Sequence, residues 1–156
     1  MQIRQAENGD ATRLGELAGM LVRMHHELDP GRFFTAEGIE AGYGRWLVKE
    51  HARGQIVLVA VDAAGAIVGY AYATVEERDW NELLDAHGKL HDVFVDPSAR
   101  RGGIARQLVG AVVAELARRG APRVVLSTAV KNEPAQALFR ALGFAPTMIE
   151  MTKSLG

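Results

Sequence analysis

Cysteine is absent from the 156 residues, which excludes disulfides, thiolate zinc sites and a cysteine nucleophile. No charge of one sign is in excess, because 18 Lys and Arg face 19 Asp and Glu for a net charge of -1. That balance argues against a protein held on nucleic acid by bulk electrostatics, and leaves room only for a local basic patch. No apolar run approaches the roughly 18 residues of a membrane span, and the opening MQIRQAENGD has no apolar leader core. Repeats, low-complexity tracts and Ser/Pro-rich linkers are missing as well. What remains is ordinary in composition, with 48% hydrophobic and 24% charged residues. The expectation is one soluble, cytoplasmic domain over residues 1–156, with neither nucleic acid nor membrane as a partner.

Hydrophobic periodicity places the elements. Gln2 to Ala6 alternate weakly as a first strand. Asp10 caps a helix in which Leu14, Leu17, Leu21, Met24 and Leu28 recur at three- and four-residue steps, and Asp29-Pro30-Gly31 stops it. A less regular helix is predicted from near Thr35 to about His51. The β-branched run Ile56 to Val61, a turn at Asp62 to Gly65, and Ile67 to Val75 read as a hairpin. Glu76 to His87 is polar and acidic, a surface loop or short helix. A strand over LHDVFVDP then ends at Pro97, and a helix runs from about Ile104 to Arg119. Val124 to Ala129 is the next strand. Asn132-Glu133-Pro134 opens a last helix, with proline suited to its first turn. Gly143 ends that helix, and Phe144 to Lys153 is expected to add one or two strands. This order, βααββ followed by βαβαβ, describes an α/β domain with a mixed sheet.

The stretch from Val93 to Leu108, VFVDPSARRGGIARQL, carries the chemistry. A strand feeds a turn with adjacent glycines, and a helix begins at once. Such a turn bares backbone N–H groups at the positive end of a helix dipole, a site for phosphate oxygens. Gly102 and Gly103 let a ligand approach backbone without a Cβ, and Arg100 and Arg101 add charge beside it. Hydrogen bonds to charged groups are worth about 1.5–3 kcal/mol each. Three or four would supply much of the roughly 8 kcal/mol of a micromolar ligand. A diphosphate is the guest this favours. The competing reading is a tight strand-to-helix connection in which glycine only relieves steric strain. Neither GxGxxG nor a following GKS or GKT is present, so the pattern is neither Rossmann nor Walker.

Arg100-Arg101-Gly102-Gly103-Ile104-Ala105 fits the pattern R/Q-x-x-G-x-G/A. With Val93, Val95 and Pro97 upstream and NEPAQALFRALGF downstream, the chain resembles the GCN5-related N-acetyltransferase (GNAT) superfamily over about residues 90 to 145. The resemblance implies a mixed, mostly antiparallel central sheet with helices on both faces, and acetyl-CoA as co-substrate. It implies that N–H groups of Arg101, Gly102, Gly103, Ile104, Ala105 and Arg106 hold the pyrophosphate. Backbone of Val93, Phe94 and Val95 would pair with pantetheine like an added strand, beside a neighbouring strand that splays away. Asn132 matches the family Asn that reaches the cofactor, and the same position suits a helix N-cap. Homodimers are a habit of the family.

The acceptor implied is a primary amine attacked in a ternary complex, with a small cationic amine (polyamine, aminoglycoside or amino-acid-like) favoured. A protein or peptide acetyltransferase and a non-catalytic CoA-binding module are the alternatives. An alkylamine has a pKa of about 10.4, so baring its lone pair near pH 7 costs about 4–5 kcal/mol, against about 1 for a protein N-terminus. The first therefore gains more from a base. Asp92, on the strand before the glycine turn, is the expected base or ammonium anchor, with His91 second. Strand alternation sends these two to opposite faces. A structural Asp is the competing reading. Phe139 stands where many relatives carry a Tyr that protonates the leaving thiolate. Tyr72 is expected to stand in, with Tyr70, Ser127 and Thr128 as further hydroxyls, unless the thiolate leaves unaided. Glu76, Glu77, Asp79, Glu82 and Asp85 would steer a cation, or simply face solvent. Trp46 and Trp80 either line the acceptor cleft or pack. His25-His26 gives no metal site, since adjacent helix positions diverge by about 100° and no third ligand is evident.

Overall fold

The computed structural model describes residues 1–156. Strand β1 (Gln2–Gln5), helices α1 (Ala11–Leu28) and α2 (Ile39–Ala52), and strands β2 (Ile56–Val61) and β3 (Ile67–Glu76) come first. Strand β4 (His87–Val95), helix α3 (Ile104–Arg118), strand β5 (Val124–Leu126) and helix α4 (Glu133–Ala141) follow. The strands lie side by side in chain order, antiparallel from β1 to β4, with β5 parallel to β4. On one face Leu108, Val112 and Leu116 of α3 and Phe139 of α4 pack against Ile56, Leu58, Ala71 and Leu90. On the other, Leu14, Leu17 and Leu47 of α1 and α2 cover Val57, Val59, Tyr70 and Phe94. The expected mixed, mostly antiparallel sheet with helices on both faces is therefore the architecture found. No helix is long and apolar enough to cross a membrane.

Local chemistry accounts for the ends of these elements. The Asp62 carboxylate accepts from the N–H groups of Ala64 and Ala66, both at 2.9 Å, and Gly65 takes a φ of +84° to close the β2–β3 hairpin. Helix α4 starts with Asn132 Oδ1 accepting from the Ala135 N–H at 3.3 Å, followed by proline in the first turn.

Four boundaries differ from the sequence expectation. Helix α2 begins at Ile39, because Gly38 at φ +70° breaks the backbone just before it. Strand β4 begins earlier, at His87, which shortens the acidic loop to a turn closed by an Asp79–Leu84 bridge. Strand β5 stops at Leu126, the last residue with a partner on β4. No strand forms over Phe144 to Lys153. There Phe144 alone packs, edge-on to Phe139, while Met148 and Met151 are 81% and 88% exposed. A segment with so little burial gains little to offset its ordering entropy.

Helices α1 and α2 cross through glycine. A Cβ on Gly44 would lie 2.0 Å from the Ala11 carbonyl oxygen, and one on Gly15 would lie 2.0 Å from that of Glu40. Backbone cannot yield as a side-chain tip can. Gly44→Ala is expected to cost about 1–3 kcal/mol or more through overpacking, read as a fall of several degrees in Tm. An unaltered melting curve would mean that the helices pass less closely.

Candidate active site

A bulge in β4 organises the site. Tyr72 pairs with Asp92 and Ala73 with Leu90, so His91 is an extra residue without a partner on β3. The extra residue shifts the side-chain alternation. Asp92 and His91 therefore share the face covered by α1 and α2, and the expectation of opposite faces is corrected. The His91 ring stacks on Tyr72 at 4.9 Å and an interplanar angle of 22°. Its Nε2 lies 2.8 Å from the Thr74 hydroxyl.

Beyond the bulge β4 and β5 part. Their pairing covers only Gly88–Leu90 with Val124–Leu126, while Val93, Phe94 and Val95 remain paired to β3 on the other side. One backbone edge of Val93 to Val95 is thus left without a strand. The gap between the strands is a cavity of about 320 Å³. His91 and Asp92 of β4, Ser127 and Thr128 after β5, and Asn132 and Phe139 of the α4 region line one side, and His25 of α1 with Arg32 and Phe33 beyond it the other.

Asp92 is the charged group at the centre. Its Oδ2 accepts from the Tyr43 hydroxyl at 2.5 Å and the Tyr70 hydroxyl at 3.0 Å. Oδ1 accepts from no protein donor and is not sealed from the cavity. Burial raises the Asp92 pKa above the usual carboxylate value, opposed by the two phenolic hydrogen bonds and by nearby His91 and His25. Burial likewise raises Tyr43 and Tyr70, so both phenols stay protonated donors. The result is a carboxylate held on one oxygen, with the other available to a cation or proton.

His25 and Tyr43 are the partners that sequence reasoning missed. The His25 Nδ1 lies 2.9 Å from the Leu21 carbonyl oxygen, an atom that can only accept. In the neutral ring Nδ1 therefore carries the hydrogen and Nε2 the lone pair. The adjacent His26 turns to the Phe33 carbonyl instead, at 2.8 Å. Tyr72 does not line the cavity, and its hydroxyl donates to Glu50 at 2.9 Å. Ser127 and Thr128 do line it. Phe139 is a core residue whose ring also borders the cavity. Neither Trp46 nor Trp80 lines the cavity. Trp46 meets Tyr43 and Tyr72 edge-on, and Trp80 lies under the Arg78 guanidinium. Of the acidic loop residues, Asp85 is held down to about 2 by its bonds to Arg78.

The second half of the site is the turn into α3. The backbone N–H groups from Arg101 to Arg106 donate to no protein acceptor. Arg101 and Gly103 take φ of +73° and +71°, which turns the chain sharply. A Cβ on Gly103 would meet nothing within 4 Å, and one on Gly102 nothing closer than 3.8 Å. The turn is therefore open above its glycines. It is also held in place, because Asp96 accepts from the Ser98 N–H at 2.9 Å and from Arg13 at 2.7 Å. The Arg100 guanidinium folds back to the Val95 carbonyl at 3.2 Å and over the Phe94 ring, bracing the end of β4. Free N–H groups at a helix N-terminus are chemically suited to an anion.

The sequence profile described as the acetyltransferase (GNAT) family matches residues 13–144. The chain belongs to the GNAT family. A mycothiol acetyltransferase of Salinispora tropica is 35% identical over 100 residues, which are 64% of this chain and 32% of that protein. A methionine sulfoximine/methionine sulfone acetyltransferase of Pseudomonas aeruginosa is 31% identical over 100 residues, 64% of this chain and 56% of that protein. This GNAT chain thus spans from about a quarter to just over half of the curated relatives it matches. An aminoglycoside N-acetyltransferase in complex with CoA shares its fold at a TM-score of 0.72, with 23% identity, covering 98% of this chain and 93% of that one.

Proposed function

We propose that this GNAT chain is an acetyl-CoA-dependent N-acetyltransferase that acetylates the primary amine of a small molecule bearing an ammonium group (polyamine, aminoglycoside or amino-acid-like) in a ternary complex. The observation that carries this reading is the junction of two features. The unpaired N–H groups open the helix that follows β4, and the half-free Asp92 carboxylate sits on β4 where β5 no longer pairs with it. The residues present fit acetyl-CoA. N–H groups of Arg101 to Arg106 would hold the diphosphate, and the free edge of Val93 to Val95 would pair with the pantetheine amides. The Asn132 side-chain N–H₂ group, left over from its capping role, would add a donor. When bound, acetyl-CoA supplies the thioester carbonyl that the neutral amine attacks.

The rest belongs to the protein. Asp92 Oδ1 accepts a hydrogen bond from the substrate ammonium and takes its proton, directly or through one water. Tyr43 and Tyr70 keep that carboxylate aimed. Burial lowers the His91 pKa, so near neutral pH its ring beside Asp92 is uncharged. Ser127 and Thr128 place hydroxyls at the cavity wall, where Phe139 offers none. Tyr72 supports His91 from behind. A free thiol has a pKa of about 8.5, so the thiolate also leaves tolerably without a donor near neutral pH.

The test is thiol release from acetyl-CoA over a panel of diamines, polyamines, aminoglycosides, amino acids and short peptides. Release with small amines, rising toward alkaline pH as the amine loses its proton, is the expected result. Tight CoA binding by calorimetry with no release from any acceptor would mark a binding module instead.

A further inference from the structure

We propose that the acceptor is an α-amino acid, whose ammonium meets Asp92 while its carboxylate takes the Arg32 guanidinium from Glu150. This rests on the acetyl-transfer reading and names the substrate class for the same cavity. Arg32 lines the cavity that Asp92 lines, so an anion and a cation face one space. On the Arg32 side the wall is built by contact, since the Arg32 guanidinium lies 4.8 Å from the Phe33 ring centroid and Phe33 packs edge-on against His25. His25 lines the same cavity as Asp92 and Arg32. A diamine would bring a second cation to Arg32, whereas an amino acid brings it a carboxylate.

The guanidinium already shows what it takes. Its Nε and Nη2 donate to the two oxygens of Glu150, the second at 3.1 Å, in the side-by-side fork typical of Arg with a carboxylate. Glu150 comes from the irregular C-terminal tail, and no strand ladder holds it there. Both side chains are half exposed, at 46% and 64%, so exchanging one carboxylate for another costs little. Glu150 thus acts as an internal stand-in for the substrate carboxylate, and its departure frees the Arg32 guanidinium. A peptide N-terminus has an amide where the free carboxylate would be, and so offers Arg32 a neutral acceptor without the two-oxygen fork.

Kinetics of thiol release on amino acids and on their decarboxylated amines test this. The ratio of kcat/KM for an amino acid over its amine is expected to be about tenfold to a hundredfold in favour of the acid, the worth of one charged pair of hydrogen bonds. Arg32→Gln should bring that ratio near one, acting on KM, and Arg32→Lys should fall between. Glu150→Gln should lower the KM of the amino acid severalfold. Amines used as well as amino acids, or a ratio indifferent to Arg32, would overturn the inference while leaving acetyl transfer standing. No release from any amine, with or without a carboxylate, would remove both.

Discussion

Asp92→Asn is expected to lower kcat/KM for an alkylamine acceptor by about 10²–10⁴-fold, the usual worth of a positioned base. The substitution keeps shape and leaves an oxygen for the Tyr43 and Tyr70 hydroxyls, so the loss would be chemical. Stability should move the other way or not at all. Burial raises the Asp92 pKa in the folded chain, so the native state binds its proton more tightly than the unfolded state does. That contribution to stability is present below the unfolded pKa and is lost as pH rises through the folded one. At pH 7 the ionised carboxylate is therefore a cost of folding, and Asn relieves it. Thermal melting at pH 7 should give a Tm equal to or above that of the parent, together with the collapse in turnover. The pH profile supplies a second reading. Activity of the parent should fall through an acid limb lying above the ordinary carboxylate value, and that limb should vanish from the residual rate of the variant. A variant with full turnover would leave Asp92 a purely structural acceptor for two tyrosines.

The glycine turn was legible in the sequence because its signals are local. A strand, a helix and the adjacent Gly102 and Gly103 lie within a few residues of one another, and the open space above them follows from that arrangement. The mixed sheet was legible for the same reason, as the hairpin and the two crossovers each carry their own periodicity. The two faces of Asp92 and His91 were not. A bulge changes the alternation by one residue, and nothing in LHDVFV marks where β3 fails to supply a partner. His25 escaped notice because its role depends on a β4 residue far away in the chain, while its neighbour His26 suggested only a discarded metal pair. Tyr43 is similar, since α2 is weakly amphipathic and its phenol reaches Asp92 only once α2 has crossed α1 at Gly15 and Gly44. The missing final strands are the reverse case. Met148, Ile149 and Met151 have a strand-like composition, but the β5 edge ends at Leu126 and the tail lies outside the core.

Gly102→Asp should raise the dissociation constant of CoA by about a hundredfold or more while leaving the fold in place. The position is chosen because its φ is not in the left-handed region, so a side chain is not strained there. A Cβ would also touch nothing closer than 3.8 Å. The added carboxylate would stand among the free N–H groups of Arg101 to Arg106 and accept from them, as the diphosphate would. It would also repel that diphosphate. Losing two charged hydrogen bonds at about 1.5–3 kcal/mol each accounts for an effect of this size before any repulsion is counted. The contrast with Gly44→Ala is the useful part, because one added methyl at a helix crossing should cost stability, while a whole carboxylate in the α3 turn should cost almost none. Calorimetry with CoA and a melting curve on the same preparation separate the two. If Gly102→Asp bound CoA like the parent, the diphosphate would have to sit away from the α3 turn. Asp92 would then face a slot with no thioester delivered to it.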